Sequence, residues 1–166
     1  NAVYGFTMIL MRVLKEYHPE YIAVTFDLPA PTFRHKKYAE YKATRIKQPQ
    51  ELYDQLPLVK DVVREFSIPV LEKEGFEADD LIATLSARIE KELPDTEDII
   101  VTGDMDTLQL VDENTRVYSL KRGLSDILVY DLAMVRERFG LAPEQMNDYK
   151  ALRGDHSDNI PGVRGI

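Results

Sequence analysis

The chain has 166 residues, of which 44% are hydrophobic and 30% are charged, and this size and composition predict one globular domain with a sizeable core. It has no cysteine, which excludes disulfides and thiolate metal sites, and its three histidines leave oxygen as the main ligand for any metal, favouring Mg²⁺, Mn²⁺ or Ca²⁺ over Zn²⁺. The formal net charge of −8 argues against a polyanionic partner unless positive charge is concentrated locally.

The hydrophobic pattern alternates between helix and strand along the first half of the chain. The predicted elements are a helix over residues 1–16, a strand over 21–26, a helix from Pro49 to about residue 66, a strand over 68–71 and a helix over 77–93. The apolar stretches are strand-sized and no signal-peptide pattern precedes them, so we expect a cytoplasmic protein without a membrane span.

The second half continues the alternation. Its predicted elements are strands over residues 98–102, 115–120 and 126–130, a short helix over 106–110, helices over 131–139 and 143–152, and a tail rich in glycine and proline. Strands that alternate with helices predict an α/β fold of three layers, in which helices flank a mainly parallel central sheet.

Positive charge is concentrated in one stretch between the first strand and the helix that begins at Pro49. Six basic residues stand there against a single acid, Glu40, giving a local net charge of +5: Arg34, Lys36, Lys37, Lys42, Arg45 and Lys47. Composition alone favours a solvated loop for such a stretch, whereas a position beside an active site would favour phosphate binding.

Acidic residues come from four separate segments of the chain. Asp27 and Asp104 each follow a predicted strand, where polar residues point into the ligand site of an open α/β sheet. The others are Asp106, the Glu77-Ala78-Asp79-Asp80 segment at the start of a helix, and the pair Asp155 and Asp158. Helical spacing places Glu77 and Asp80 on one face.

Each acidic group also has a plainer explanation when it is taken alone. Acids in the first turn of a helix are commonly caps that favour the helix dipole, and an aspartate after a strand is an ordinary turn residue. Together they repel one another unless a cation neutralises them, so their joint occurrence predicts bound metal. Two hard cations on carboxylates can ionise a water and stabilise the leaving oxygen of a phosphodiester, which indicates phosphodiester hydrolysis.

Several motifs, in order, resemble those of a known family. They are Ala2-Val3-Tyr4-Gly5-Phe6, Thr32-Phe33-Arg34-His35, Tyr41-Lys42-Ala43-Thr44-Arg45, Gly75-Phe76-Glu77-Ala78-Asp79-Asp80, Thr102-Gly103-Asp104-Met105-Asp106 and the segment from Gly154 to Val163. The sequence resembles the 5′ to 3′ exonuclease domain of bacterial DNA polymerase I, a member of the flap endonuclease (PIN-like) superfamily. Any one motif is weak, but all of them in the family's order and spacing are highly specific.

The resemblance implies a fold, a cofactor and a site. It implies a PIN-like 5′ nuclease fold with a helical arch or clamp, whose position the basic stretch 32–47 occupies. It also implies two Mg²⁺ or Mn²⁺ ions held or supported by eight acids: Asp27, Glu77, Asp79, Asp80, Asp104, Asp106, Asp155 and Asp158.

The resemblance also implies contacts to nucleic acid. Arg34, Lys42 and Arg45 match residues that contact the scissile or neighbouring phosphates and are the expected catalytic cations, and Tyr41 is expected to stack on a base. The remaining expected contacts are Lys36, Lys37, Lys47, Gly162 and Gly165. The implied partners are DNA with a 5′ flap, nick or single-stranded 5′ end, RNA-primer hybrids and a fused polymerase, in the bacterial cytoplasm with the nucleoid.

The expected organisation is a catalytic domain over residues 1–152, followed over 153–166 by the start of a helix-three-turn-helix that binds duplex and often K⁺. The chain departs from the family's pattern in lacking the usual first strand with its Asp-Gly pair, so we interpret it as truncated at both ends. Met105 replaces a common lysine and Thr44 a common asparagine.

Three functions fit these patterns. The first is a structure-specific 5′ to 3′ exonuclease or flap endonuclease acting in DNA replication and repair. A PIN-type ribonuclease shares its chemistry, but small members lack the Gly154-Asp155-His156-Ser157-Asp158-Asn159 segment. A non-catalytic DNA-binding fragment is the third, and the retention of all eight acids argues against it.

Overall fold

The computed structural model describes residues 2–120 and 127–165. Its α-helices are α1 (Ala2–Tyr17), α2 (Phe33–Lys37), α3 (Gln50–Tyr53), α4 (Leu56–Glu65), α5 (Ala78–Glu92), α6 (Leu132–Phe139) and α7 (Met146–Arg153). Its strands are β1 (Val24–Thr25), β2 (Val70–Leu71), β3 (Asp98–Thr102), β4 (Thr115–Leu120) and β5 (Ile127–Tyr130). The predicted first residue of the first helix, Asn1, and of the fifth strand, Asp126, lie outside the described residues.

The strands confirm a mainly parallel α/β fold. β1 pairs in parallel with β2, and β3 pairs in parallel with β4, while β5 returns antiparallel to β4. The described strands form two sheets, one of two and one of three strands, where a single central sheet was expected. β1 is shorter than the predicted strand because β2 is its sole partner in the described part of the chain, and β2 is itself only two residues long.

Two apolar clusters hold the sheets against the helices. In the first, Ile100, Leu108, Val117, Tyr130 and Val135 are buried together between the three-stranded sheet, α6 and the 3-10 helix Met105–Leu110. Burial of such side chains contributes most of the free energy that favours folding.

The second cluster joins α1 and α4 to the two-stranded sheet. Leu10 of α1, Val63 of α4 and Ile68, which precedes β2, are buried in contact with one another. Both clusters anchor elements whose ends carry the acidic residues, so they fix the backbone from which those side chains project.

Most predicted helices are confirmed, with one clear exception. The helix predicted from Pro49 to about residue 66 is two helices, α3 and α4, separated at Asp54 and Gln55. Pro57 lies in the first turn of α4, where its missing N–H costs no hydrogen bond, so it marks a new start.

The basic stretch contains little regular structure. It holds the five-residue helix α2 followed by turns at residues 39–44, and Lys42 adopts a left-handed backbone with φ of 56°. No helix in the described ranges has the length and apolar character needed to cross a bilayer.

Candidate active site

The ends of β1 and β3 bring two aspartates towards the start of α5, as the sequence predicts. Asp27 follows β1, and its carboxylate accepts a hydrogen bond of 2.8 Å from the backbone N–H of Ala78 in the first turn of α5. Asp104 follows β3 and caps the 3-10 helix, accepting a 2.9 Å hydrogen bond from the N–H of Asp106. The local hydrogen bonds therefore orient both carboxylates.

The acidic start of α5 combines capping with a place in the site. The carboxylate of Asp80 accepts a 2.9 Å hydrogen bond from the N–H of Glu77, so the plainer explanation of Asp80 as a cap is correct in part. Glu77 itself is buried, and a buried carboxylate usually has a partner. Its burial shows that the segment does more than terminate a helix.

A cleft of about 500 Å³ gathers residues from α2, α5, α7, the 3-10 helix and the tail. Acids line it together with Arg34, Lys37, Lys42 and Lys150. The lining acids are Glu77, Asp79, Asp80, Asp104, Asp106, Asp155 and Asp158. Asp27 does not line the cleft, but its charge acts on Asp79.

Asp79 is the acid whose charge is least compensated. Its pKa is raised to about 6, first by burial and then by the nearby carboxylates of Asp104 and Asp27, and the charge of Lys42 lowers it by less than either aspartate raises it. Asp104 and Asp27 therefore both lie close enough to Asp79 to repel its charge. A cation placed among them would relieve that repulsion, so the charge distribution fits bound metal.

Arg34 and Lys42 neutralise the acids at the start of α5. The guanidinium of Arg34 donates two hydrogen bonds of 2.8 Å to the carboxylate of Asp80, which lowers the pKa of that carboxyl. The ammonium of Lys42 lies 2.9 Å from Glu77. Two of the three expected catalytic cations therefore line the cleft, and each of these two is paired with an acid.

Tyr41 is not placed for the base stacking that the sequence suggested. Its side chain is 7% exposed, and its hydroxyl hydrogen-bonds to Glu77 at 3.1 Å and to Asp158 at 3.0 Å. The ring contacts His35 edge-on. Tyr41 joins two acids from distant parts of the chain, and a buried ring offers no face to a base.

The tail closes one side of the cleft by contacting the basic stretch. Asp158 forms an ion pair with Arg45, and its carbonyl oxygen accepts a 3.0 Å hydrogen bond from the N–H of Lys42. The amide of Asn159 donates to the carbonyl oxygen of Glu40 at 2.8 Å. The basic stretch and the tail therefore form one continuous wall.

Lys150 is a site residue that sequence reasoning missed. It projects from α7, pairs with Asp106 and donates to Asp155 at 2.8 Å, and with Ser157 it lowers the pKa of Asp155 despite the burial that opposes this shift. Its position five residues before Asp155, on the last turn of a helix, was the available signal.

The remaining expected contacts are scattered around the cleft. Lys36 and Lys47 are exposed beyond it, and Lys37 lines it. Gly162 packs against the backbone of Arg153, and Gly165 is exposed. Met105, the residue in place of a lysine, packs against the core of the three-stranded sheet.

The acids fit a hard divalent cation by their chemistry, since all of them offer carboxylate oxygen. Within residues 2–120 and 127–165, no three His or acidic side chains are arranged as a ligand set, and several of the acids are paired with lysine or arginine. A bound metal ion would therefore compete with these lysine and arginine side chains for the same carboxylates.

Comparison with known proteins decides the family. The sequence profile of the family described as "5′-3′ exonuclease, N-terminal resolvase-like domain" matches residues 1–140. The chain belongs to this family. This membership confirms the resemblance drawn from the motifs.

Relatives within the family are DNA polymerases. The chain is 48% identical to DNA polymerase I of Bacillus caldotenax over 166 residues, covering 100% of this chain and 19% of that protein. It is 45% identical to DNA polymerase I of Mycobacterium tuberculosis, covering 100% of this chain and 18% of that protein. The chain thus spans about a fifth of the length of these relatives.

Solved structures show the same fold. T5 D15 protein co-crystallised with metal ions superposes with a TM-score of 0.80 at 24% identity, covering 99% of this chain and 64% of that one. The catalytic core of Rad2 in complex with DNA substrate superposes with a TM-score of 0.55 at 21% identity, covering 99% and 49%. These likenesses confirm the expected 5′ nuclease fold of the family.

Proposed function

We propose that the protein containing this chain is a divalent-metal-dependent 5′ nuclease, a structure-specific 5′ to 3′ exonuclease or flap endonuclease that hydrolyses DNA phosphodiester bonds. The observation that carries the proposal is the cleft, in which seven acids from the start of α5, the end of β3 and the tail face a basic stretch. Membership of the 5′-3′ exonuclease family supports the reaction class.

The acids nearest to one another are the candidates to hold two Mg²⁺ or Mn²⁺ ions. The charges of Asp27 and Asp104 both act on Asp79, and Asp106 and Asp155 share Lys150 as their present counter-ion. Glu77, Asp80 and Asp158 support this set through their pairs with the basic stretch. When bound, such ions supply an ionised water and stabilise charge on the leaving oxygen.

The basic side chains bind and orient the phosphates of the substrate. Arg34 presents a planar fork that suits two phosphate oxygens, while Lys42 is a compact charge beside Glu77. Because each is now held by a carboxylate, a phosphate competes with that carboxylate for the cation. Arg45 anchors the tail through Asp158, so it positions the wall of the cleft as well as adding positive charge.

The finer features of the proposal concern substrate and context. We place DNA with a 5′ flap, nick or single-stranded 5′ end in the cleft, with RNA-primer hybrids as further substrates. A similar T5 D15 structure is described as a flap endonuclease complex with DNA and metal ions, which supports this choice. We also propose a fused polymerase and a place in the bacterial cytoplasm near the nucleoid, and the DNA polymerase I relatives support this proposal.

The proposed division of the chain keeps residues 1–152 as the catalytic part and 153–166 as the start of a duplex-binding motif. The reversal of the backbone between Asp155 and Ile160, which are paired by two hydrogen bonds of 2.9 and 2.8 Å, supports a compact motif there. Backbone groups at Gly162 and Gly165 would contact the duplex backbone, with K⁺ as an additional ligand.

The test is replacement of one acid that the proposed metal site requires. We expect Asp104→Ala in the full-length protein to abolish cleavage of a 5′-flap substrate in Mg²⁺ while flap binding in Ca²⁺ persists. Asp95→Ala removes an exposed acid remote from the cleft and should cleave like the unaltered protein. Undiminished cleavage by the Asp104 variant would refute the assignment of the acids.

A substrate panel separates this function from its alternatives. A 5′ nuclease cuts the flap substrate in preference to single-stranded RNA, whereas a PIN-type ribonuclease shows the reverse preference. A non-catalytic DNA-binding fragment would bind the flap but leave it intact at every Mg²⁺ or Mn²⁺ concentration.

A further inference from the structure

His35 is the third residue of α2, and its imidazole caps that helix. The Nδ1 atom lies 3.2 Å from the backbone nitrogen of Thr32 and 2.9 Å from the hydroxyl oxygen of the same residue. Because a backbone N–H can only donate, Nδ1 is the acceptor and the ring proton is on Nε2. Glutamate or glutamine commonly holds this position of a capping box, and here a neutral histidine takes the same role.

The cap matters because α2 has few other interactions that fix it. A helix of five residues is too short to be stable in isolation. Thr32 is buried, so loss of the cap would leave its N–H without a partner and away from water, which costs free energy. The conformation of α2 therefore depends on His35 and on the packing of Phe33 against Phe76, whose ring centroids are 5.8 Å apart.

His35 supports two connections between the basic stretch and the acids of the cleft. The first is made by α2, which carries Arg34 and so places the guanidinium that donates two hydrogen bonds to Asp80. The second is made by Tyr41, whose ring meets the imidazole edge-to-face with centroids 5.1 Å apart. The hydroxyl of Tyr41 binds two carboxylates of the cleft. One imidazole therefore contacts both the helix and the ring that make these connections.

We propose that His35 is a positioning residue of the nuclease: its neutral imidazole fixes α2 and Tyr41, and α2 in turn holds Arg34 towards the cleft. This inference rests on the proposed nuclease function and adds a residue that acts through Arg34 and not on the substrate. A proton on Nδ1 would turn the acceptor into a donor and place it against the N–H of Thr32. Acid therefore weakens the cap, and the orientation of Arg34 is weakened with it.

Charged side chains lie around the imidazole on α2, on the turn after it, at the start of α5 and in the tail. They are Arg34, Lys36, Lys37, Lys42, Glu77 and Asp158. The two acids bind the hydroxyl of Tyr41, and Lys42 lies 5.0 Å from the centroid of the same ring. A ratio of two variants measured at the same pH cancels the titration of these shared groups.

The test replaces the imidazole with a cap that does not titrate. Cleavage of a 5′-flap substrate by the full-length protein is measured in Mg²⁺ from about pH 8 to about pH 5.5. At the upper pH we expect His35→Gln to cleave within about twofold of the unaltered protein, because glutamine accepts the same N–H. His35→Ala should be about tenfold slower, because the N–H has lost its cap. The rate of His35→Gln relative to the unaltered protein should rise at least about threefold towards the lower pH, where histidine side chains gain charge.

Amide hydrogen exchange at Thr32 provides a readout that does not require cleavage. In the metal-free protein, exchange should accelerate in His35→Ala and return to the unaltered rate in His35→Gln. His18→Asn is the matched control, because His18 is exposed and asparagine tolerates its left-handed backbone with φ of 45°. The rate of this control relative to the unaltered protein should stay constant with pH.

The positioning role and the nuclease function can fail separately. If the unaltered protein does not cleave the flap, the nuclease function is refuted, and exchange at Thr32 still tests the cap. If it cleaves and His35→Ala matches His18→Asn, only the positioning role is refuted. A loss in His35→Gln equal to that in His35→Ala would overturn this role as well, and so would a relative rate of His35→Gln that stays constant with pH. If His35→Ala does not fold, the pH dependence of His35→Gln decides alone.

Discussion

Folding raises the pKa of the Asp79 carboxyl group, so this group ionises less readily in the folded chain than in the unfolded chain. Burial raises its pKa from 3.8 to about 6, with further contributions from Asp104 and Asp27. Between these two values the folded chain binds more protons than the unfolded chain, so stability falls as the pH rises through this window. The folded, metal-free protein therefore carries a penalty at neutral pH that is absent near pH 4.

This penalty predicts a stabilising substitution in the site. In EDTA at pH 7.5, we expect Asp79→Asn to raise the free energy of unfolding by about 1 kcal/mol, a value reduced from the full shift because the half-buried carboxyl is partly screened by solvent. The gain should shrink as the pH falls from 6 towards 4. Urea denaturation at several pH values measures it.

Asp95→Asn provides the control, because Asp95 is exposed and its replacement removes the same charge. The unfolding free energy of this variant should follow that of the unaltered protein across the range. A gain for Asp79→Asn that persisted unchanged at pH 4 would contradict the electrostatic explanation and would indicate a packing effect.

Individual site residues were predictable where their position relative to a strand determined which way the side chain points. Asp27 and Asp104 follow strands, and the geometry of parallel sheets sends such side chains to one edge. Lys150 and Tyr38 were not predictable, because their reach into the cleft depends on how α2 and α7 pack. The burial of Tyr41 was not predictable either, because the sequence does not reveal which of two nearby tyrosines is buried.

At the scale of elements, the tail is held by a close approach of backbone. Gly154 and Gly162 have φ of 82° and 64°, and a side chain on Gly162 would lie 2.5 Å from the carbonyl of Arg153. This approach forms the base of the loop that carries Asp155 and Asp158. Only glycine satisfies both the left-handed backbone and the lack of space.

The stability of the tail should therefore depend on the absence of a methyl group at Gly162. We expect Gly162→Ala to lower the free energy of unfolding by about 2 kcal/mol, because the residue must leave the left-handed region or the loop must open. Amide hydrogen exchange should accelerate at Asp155 and Ile160, whose N–H groups each donate to the carbonyl oxygen of the other residue.

The same substitution in a helix should have the opposite sign. Gly5 lies within α1, and a methyl group on its Cα would meet no other atom within 4 Å, so Gly5→Ala should stabilise the protein by about 0.5–1 kcal/mol. A Gly162→Ala variant as stable as the unaltered protein would show that the loop adopts another conformation.

Element boundaries were predictable where the periodicity was long and a breaker stood at its end. α5 and the strands β3 and β4 match their predicted ranges closely, and Pro94 follows α5. The break between α3 and α4 was not predicted, since Pro57 was not recognised as a new helix start. Short elements in the basic stretch carry no periodicity, and tertiary contacts with the tail determine their shape.

At the scale of the whole molecule, charge is strongly segregated. The chain has a net charge of −8, yet Lys36, Lys37 and Lys47 are exposed in one stretch beside the cleft. Binding of a polyanion therefore depends on this stretch, and the acids of the cleft oppose it. Divalent ions, which neutralise those acids, should strengthen DNA binding as well as enable hydrolysis.

The salt dependence of DNA binding tests this segregation. Replacing Lys36 and Lys47 with glutamine should reduce the slope of log affinity against log salt concentration by roughly 1.5, since each phosphate that a lysine neutralises adds about 0.7–0.9 to that slope. Lys15→Gln with Lys91→Gln changes the net charge equally at exposed sites on α1 and α5, and should leave the slope unaltered. Equal effects of the two pairs would show that only net charge matters.

The fold class was predictable from the alternation of elements, whereas the arrangement of strands into sheets was not. Hydrophobic pattern identifies β1 and β2 as buried strands, but their pairing depends on partners that local sequence does not specify. The antiparallel pairing of β5 with β4 is an example. A short connection permits it, and the period of the hydrophobic pattern is the same for parallel and antiparallel strands.

The contacts between the basic stretch and the tail join residues that are 112 to 119 positions apart in the chain. During synthesis the acids of α5 and the basic stretch emerge first, and the wall made by Asp158 and Asn159 is added only when these two residues have left the ribosome. A nascent chain therefore has no assembled cleft. The proposed site is therefore completed only after translation has passed Asn159, and a shorter nascent chain lacks one wall of the cleft.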